Sequence, residues 1–350
     1  MLEDLSTPTV DVPQGLSYVT DTKPGFKRER RGKAFTYYDK GGKVIKDQKI
    51  IDRINAIGIP PAYEQVWICP TANGHIQATG LDARGRKQYR YHAKWREARD
   101  ENKFQHILQF ADALPAIRQR IQTDMGQRGL SRDKVLATVV SLLEKTLIRV
   151  GNSEYAQSNQ SYGLTTLQPQ HVQAGSTAVR FRFKGKSGKE WNLSVSDRRI
   201  ARIVRQCADI PGQELFKYVD NDGVARDVTS QDVNAYLKEL TGGDFTAKDF
   251  RTWSGTVLAA LALNEVEKYE TQTEAKRNIK QAIDKVARQL GNTPAICRKC
   301  YIHPDVIEAY MTGETASAIT QEIDRKFKKK YDTLTPDEIM VLAFLKKRLS

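Results

Sequence analysis

Five residues in this 350-residue chain have the types and spacing to act together on a phosphate ester. Arg149 lies in LIRVGNSEYAQSNQSYGLTTL, Lys186 in the turn GKSGK, and Arg251 in KDFRTWSGT. Asn292 and Tyr301 stand nine residues apart in LGNTPAICRKCY. Guanidinium forks match the nonbridging oxygens of a phosphodiester and keep their charge at any working pH. An amide donates one more hydrogen bond, an ammonium can release a proton, and a phenol can attack. Each residue also has an ordinary reading. An arginine near a helix end caps carbonyls, a turn lysine is solvated, and a tyrosine shortly before His-Pro packs.

Other phosphate machinery is missing from the sequence. GKS at 185–187 resembles the end of a P-loop, but position 180, where its first glycine belongs, is Arg180. No GxGxxG follows a strand pattern, and no carboxylate cluster has metal-ligand spacing. Cys297 and Cys300 form a CxxC pair, but zinc needs two further ligands and no second CxxC or HxxxH exists, so these read as structural thiols. The sequence therefore implies neither cofactor nor metal.

The elements that must position these residues read as α+β: a small β-rich N-terminal domain, residues 1–97, and a larger, mainly helical domain, residues 98–350, that includes a short β-hairpin. FTYYDKGGKVI predicts a hairpin around Gly41-Gly42, and YEQVWICPTANGHIQATG another around Asn73-Gly74. DQKIIDRINAIGIPP between them is a short helix closed by Gly58 and Pro60. The polar run REARDENKF, 96–104, reads as a hinge. DKVLATVVSLLEKTLIRVG is a helix ending at Gly151, with Arg149 at its end. TAVRFRFKGKSGKEWNLSV alternates as a hairpin, with Lys184, Lys186 and Lys189 near its tip. Asp197 reads as a helix N-cap, Ile279, Ile283, Val286 and Leu290 share one helix face, and Thr335, Pro336 and Glu338 form a capping box. The residues from Glu314 onward read as helices that pack back on the domain.

Lysine and arginine exceed aspartate and glutamate by 14 charges. That excess suits a phosphate polymer or an acidic membrane surface, and no apolar run is long enough to span a bilayer. GLDARGRKQYRYHAKW packs five basic and three aromatic side chains into one short run. Arg84, Arg86 and Lys87 would reach phosphates there, and Gln88, Tyr89 and Tyr91 bases or sugars. Tyr155 and Lys248 complete the DNA-contacting candidates. The first residues are acidic, with no basic-then-apolar succession, so no signal peptide is expected. Four cysteines point to a reducing compartment, and hence to a cytoplasmic location.

In order and context the five residues resemble those of the type IB DNA topoisomerases, in the small bacterial and poxvirus-like branch, over about residues 16–312. That family has an arginine in an IRxG context, a lysine in a hairpin, an arginine in KDxRTxx, then GHTP or GNTP with a tyrosine nine residues on. GLDARGRKQYRYHAKW is similar to the DNA-touching segment of the family's N-terminal domain. Asn292 stands where poxvirus-type enzymes carry histidine and where the bacterial branch carries asparagine, which argues for plain hydrogen bonding. The resemblance implies that Tyr301 forms a 3′-phosphotyrosyl bond, Arg149 and Arg251 neutralise the nonbridging oxygens, Asn292 adds a donor, and Lys186 protonates the departing 5′ oxygen. It also implies a monomer clamped around double-stranded DNA, relaxing supercoils without ATP or metal. A tyrosine recombinase shares the nine-residue spacing, but usually has histidine three residues before the second arginine, where this chain has Lys248. A non-catalytic DNA-binding protein would explain the charge and leave the five-residue series to coincidence.

Overall fold

A computed structural model of the chain describes residues 12–32, 34–83, 85–266, 269–318, 323 and 325–349. It divides into two units, Met1–Gln105 and His106–Ser350. No described helix is long and apolar enough to cross a membrane.

The first unit is built on five antiparallel strands: β1 (Phe26–Arg31), β2 (Ala34–Tyr38), β3 (Glu64–Ile68), β4 (Ile76–Leu81) and β5 (Lys87–Tyr91), in the order β2-β1-β3-β4-β5. Helix α1 (Gln48–Ala56) is capped by Asp47, whose carboxylate accepts from Lys49 N at 2.8 Å. Its Ile54 packs with Val66, Ile68 and Ala78 on one sheet face. The hairpin expected around Asn73-Gly74 is β3–β4, with Ile68 opposite Ala78. The one expected around Gly41-Gly42 is different. Its first arm is β2, its second makes a single bridge from Val44 to Tyr38, and β2 pairs instead with the charged strand β1. FKRERR gives no apolar alternation, yet its inward Arg28 is satisfied by the carbonyls of Ile59, Pro60 and Tyr63 at 2.9–3.1 Å and lies 4.2 Å from the centre of the Phe35 ring.

Helix α2 (Ala93–Asp124) carries the chain into the second unit. Residues 96–104, expected as a hinge, are an unbroken part of it. They contain no glycine or proline, and arginine, glutamate, alanine and lysine favour helix. The division between the units falls at Gln105/His106, eight residues past the boundary expected after residue 97.

The second unit is mainly helical, as the α+β reading requires. Helix α3 (Arg132–Thr146), capped by Ser131, buries Leu136, Val139, Val140 and Leu143. It stops at Leu147, whose φ of 56° is left-handed, so Arg149 lies beyond the helix rather than in its last turn, and the end expected at Gly151 comes sooner. After α4 (Ser153–Asn159), strands β6 (Val172–Ala174), β7 (Ala178–Lys184) and β8 (Glu190–Ser196) form an antiparallel sheet in that order. The expected hairpin is β7–β8, with Phe183 opposite Trp191. Asp197 caps α5 (Arg198–Ala208) as expected. A small hairpin of β9 (Lys217–Val219) and β10 (Ala225–Asp227) follows, then α6 (Ser230–Thr241), α7 (Ala247–Asn264), α8 (Gln272–Leu290), α9 (Pro294–Cys300), α10 (Pro304–Met311), α11 (Arg325–Lys330) and α12 (Pro336–Leu349). Helix α7 packs against α3, α8, α10 and α12.

The carboxy-terminal helix is docked through a buried acid. Glu338, 8% exposed, accepts from Arg118 Nη1 and Nη2 at 3.0 and 2.8 Å, from the Trp253 indole at 3.0 Å and from Thr335 N at 2.8 Å. The last of these belongs to the expected capping box, completed by Glu338 N donating to Thr335 Oγ1. Arg118 also donates to Glu144 of α3 at 2.7 Å. Burial raises the Glu338 pKa, but Arg118, with the Thr335 and Trp253 donors, outweighs burial and holds it below the ordinary 4.5. A depressed folded pKa contributes stability that is complete above the unfolded value and is lost as pH falls through the folded one. The thermal midpoint of the wild type should therefore exceed that of Glu338→Gln near neutrality, and the gap should close below about pH 4.5. A gap that is independent of pH would place the stabilisation elsewhere.

Candidate active site

Arg149, Lys186, Asn292 and Tyr301 line one cleft of about 670 Å³, together with Lys189, Asp284, Arg288 and Ile296. All lie in the second unit. Arg149 is set by its backbone: Leu164 N donates to Arg149 O at 2.9 Å and Thr165 N to Val150 O at 2.7 Å. The two chain segments approach so closely that a Cβ on Gly163 would stand 2.5 Å from Gly151 Cα, which accounts for a glycine two residues after the arginine. The Arg149 guanidinium donates to Asn292 Oδ1, fixing the amide, and its pKa is lowered by burial and by Arg251.

That bond leaves Asn292 Nδ2 buried with no partner. An orphaned buried donor costs about 1–3 kcal/mol, so an acceptor that reached it would be bonded without displacing another partner. The residue is placed by the end of α8, where Asn292 N donates to Ala287 O at 3.0 Å.

Arg251 is 3% exposed and does not line the cleft; it lies behind it. One Nη donates to Leu147 O, at the end of α3, and the other to Leu290 O, at the end of α8, at 2.7 Å. Its Cζ is 5.1 Å from the centre of the Tyr301 ring, and its Nε is buried without a partner. The carbonyl-capping and the catalytic readings of this arginine are thus compatible.

Tyr301 follows the last turn of α9, its N–H donating to Cys297 O at 2.9 Å. Its carbonyl rests on α7: Thr256 Oγ1 lies 3.4 Å from Tyr301 O and accepts from His303 N at 3.1 Å. A Cβ on Gly255 would stand 2.5 Å from Tyr301 O. Gly255 and Thr256 come one turn after Arg251, so a single helix holds the tyrosine's backbone and covers its ring. His303 is 2% exposed and caps α10 through Nδ1, which accepts from Asp305 N. The four cysteines are free thiols, and burial pushes the Cys297 thiol up to about 11.

Lys186 is exposed at the start of a 3-10 turn, Lys186–Gly188, closed by Gly185 N donating to Lys189 O at 2.7 Å. Sequence reasoning chose Lys186 as the proton donor and gave no role to Lys189. The latter donates to Arg288 O at 2.7 Å, lies 5.0 Å from the Trp191 ring centre, and has its pKa lowered by burial and by Arg149 and Arg251. Lys189 precedes Trp191 by two residues, a same-face spacing on a strand. That was the available signal. Gly255 and Thr256 were also missed, although Gly255, four residues after Arg251, lies on the same face of the helix. Lys248 is exposed on α7 and does not line the cleft.

In the first unit, Lys87, Tyr89 and Tyr91 share one face of β5. Lys87 Nζ is 5.5 Å from the Tyr89 ring centre, and the two tyrosine rings stack at 5.9 Å. Tyr89 is 43% exposed. The cations here already have acidic partners: Lys87 pairs with Asp21 and Arg86 with Asp82, both at 2.6 Å. Gln88 also donates to Asp82 at 3.1 Å. Arg84 and the Tyr155 side chain lie outside the described residues.

A tyrosine in a cation-rich cleft on a mainly helical unit suits an enzyme that transfers a phosphodiester onto its own phenol, and comparison with known proteins gives the family. Residues 92–330 match the family described as eukaryotic DNA topoisomerase I, catalytic core, and residues 34–82 match bacterial DNA topoisomerase IB, N-terminal domain. DNA topoisomerase 1B of Acanthamoeba polyphaga mimivirus is 31% identical over 296 residues, covering 83% of this chain and 88% of the viral one. DNA topoisomerase 1B of Vaccinia virus (strain Copenhagen) is 23% identical over 289 residues, 79% of this chain and 87% of the relative. DNA topoisomerase 1 of Daucus carota is 26% identical over 159 residues, 44% of this chain and 19% of its own. The chain belongs to the type IB DNA topoisomerases. The recombinase and the non-catalytic alternatives find no support in these matches.

The contact between α7 and Tyr301 O gives a direct test. Gly255→Ala must push the tyrosine away, and a misplacement of about 1 Å at a reacting group costs roughly 100-fold in rate. Single-turnover strand cleavage should fall by that order while the folded far-ultraviolet circular dichroism is retained. Cleavage at the wild-type rate would show that Tyr301 does not react from this position.

Proposed function

We propose that the chain relaxes supercoiled duplex DNA by cutting and resealing one strand, with Tyr301 as nucleophile and no external energy source. The observation that carries this reading is the placement of Tyr301 against Arg251, in the cleft that also holds Arg149, Asn292 and Lys186. Tyr301 Oη attacks phosphorus, an Oη–P bond forms, the P–O5′ bond breaks, and the phenolic proton passes to solvent. In the five-coordinate transition state the nonbridging oxygens gain charge, which Arg149 and the Asn292 amide stabilise from the cleft and Arg251 stabilises through its charge from behind it. Lys186 gives its proton to the departing 5′ oxygen. One phosphoester replaces another, so the step is near thermoneutral and resealing is its reverse.

All five residues come from the same unit, so one copy of the chain suffices for the chemistry. The β5 cations and tyrosines contribute phosphate and base contacts once their acidic partners are exchanged, and the first unit completes a clamp on the duplex. A bacterial, cytoplasmic and nucleoid-associated setting goes with this reading, and the bacterial type of the N-terminal match supports the first part of it.

The purified chain should relax both negative and positive supercoils in EDTA without ATP. Tyr301→Phe should bind DNA and form no 3′-linked adduct. A strict magnesium requirement, or nicking without resealing, would sink the reading.

The role of Lys186 has its own test. Lys186→Ala should slow cleavage by roughly 10²–10⁴-fold, the contribution of a positioned proton donor. Replacing the bridging 5′ oxygen by sulfur supplies a leaving group that needs no proton, so cleavage of that strand should be nearly as fast in Lys186→Ala as in the wild type. If sulfur does not rescue the variant, the donor is another group, and Lys189, in the same cleft, becomes the candidate.

A further inference from the structure

The match to the topoisomerase catalytic core ends at residue 330, before α12 begins, yet α12 reaches the helix that carries Arg251. Trp253 follows Arg251 by two positions, which turns it about 200° around the helix. The arginine therefore faces Tyr301 while the indole, 2% exposed, points away and donates to Glu338 in the first turn of α12. The same carboxylate binds Arg118 of α2 through both Nη groups, and Arg118 binds Glu144 near the end of α3. Helix α3 runs directly into Leu147, whose carbonyl accepts from Arg251. Glu338 thus fixes, from behind, both the α7 turn that bears Arg251 and the α3 end to which Arg251 is bonded.

Packing alone does not call for an acid here. Apolar residues of similar volume hold buried surfaces as well as an ion pair does, or better, because two charges need not be desolvated. What an acid with four donors adds is a single register: α2, α7 and α12 can meet it in one arrangement only. We infer that Glu338 is a positioning residue for Arg251, acting through Trp253 and Arg118, and that helix α12 belongs to the frame of the active site. The inference rests on the role given above to Arg251.

The test is a double-mutant cycle read in single-turnover cleavage of duplex DNA at saturating protein, with DNA affinity and thermal unfolding measured alongside. Glu338→Gln should slow cleavage roughly 3–30-fold, the range for substitutions that act through an intervening residue, with DNA affinity unchanged. In an Arg251→Ala background the same substitution should change the rate by less than about twofold, because the group it positions is gone. Trp253→Phe, which removes the indole N–H and keeps an aromatic ring, should repeat both results, and it carries the cycle if Glu338→Gln unfolds below the assay temperature. Equal slowing with and without Arg251 would overturn the inference and leave the role of Arg251 standing. Lower stability with unchanged cleavage by the folded protein would do the same. Wild-type cleavage by Arg251→Ala would remove both.

Discussion

Arg251 carries a guanidinium that almost no water reaches, so its partners must come from the protein. They are carbonyls at two helix ends, Leu147 O after α3 and Leu290 O at the end of α8. Such carbonyls lack partners within their own helices and carry the negative end of the helix dipole. The cation answers a need that α3 and α8 have in any case, and α7, which supplies it, is tied to both. The segments that leave those two ends carry Arg149 and Asn292, which are bonded to each other. Two of the other candidate site residues, Arg149 and Asn292, are therefore organised around the Arg251 guanidinium, and the ring of a third, Tyr301, closes against it.

The cleft in front of that guanidinium is an unbalanced field. Arg149, Lys186, Lys189 and Arg288 line it, and Asp284 is the one acid among its lining residues. Burial and mutual repulsion lower the pKa of Arg149 and of Lys189. A phosphate entering the cleft would relieve that repulsion, and the relief would grow as charge builds on its oxygens, so the same arrangement favours a pentacoordinate state over a resting diester.

Local signals made much of this legible. The β7–β8 alternation, the Asp197 and Thr335 caps and the glycine at the end of α8 each report on neighbours in sequence, and each was found where expected. What escaped depended on partners far along the chain. Strand β1 is charged and is stable because Arg28 finds carbonyls about thirty residues away. Helix α3 stops short because Leu147 turns left-handed, a conformation that no leucine announces. Residues 96–104 looked like a linker because they are polar, but polarity without glycine or proline leaves a helix free to continue. The five candidate site residues were chosen by order and context, whereas Lys189, Gly255 and Thr256 gain their place only when the hairpin meets α8 and the tyrosine meets α7.

The ion pairs on β5 bear on how tightly this surface would hold nucleic acid. Asp21 and Asp82 act as internal counterions for Lys87 and Arg86. A cation that leaves a carboxylate for a phosphate frees a salt ion from the DNA, while the abandoned carboxylate recruits one from solution. The net release per contact is then smaller than the value of about 0.9 for an unpaired cation on duplex DNA. Counting the basic residues of this segment would overstate both its grip and its sensitivity to ionic strength, and a surface tuned in this way would let go of DNA more readily than its net charge suggests.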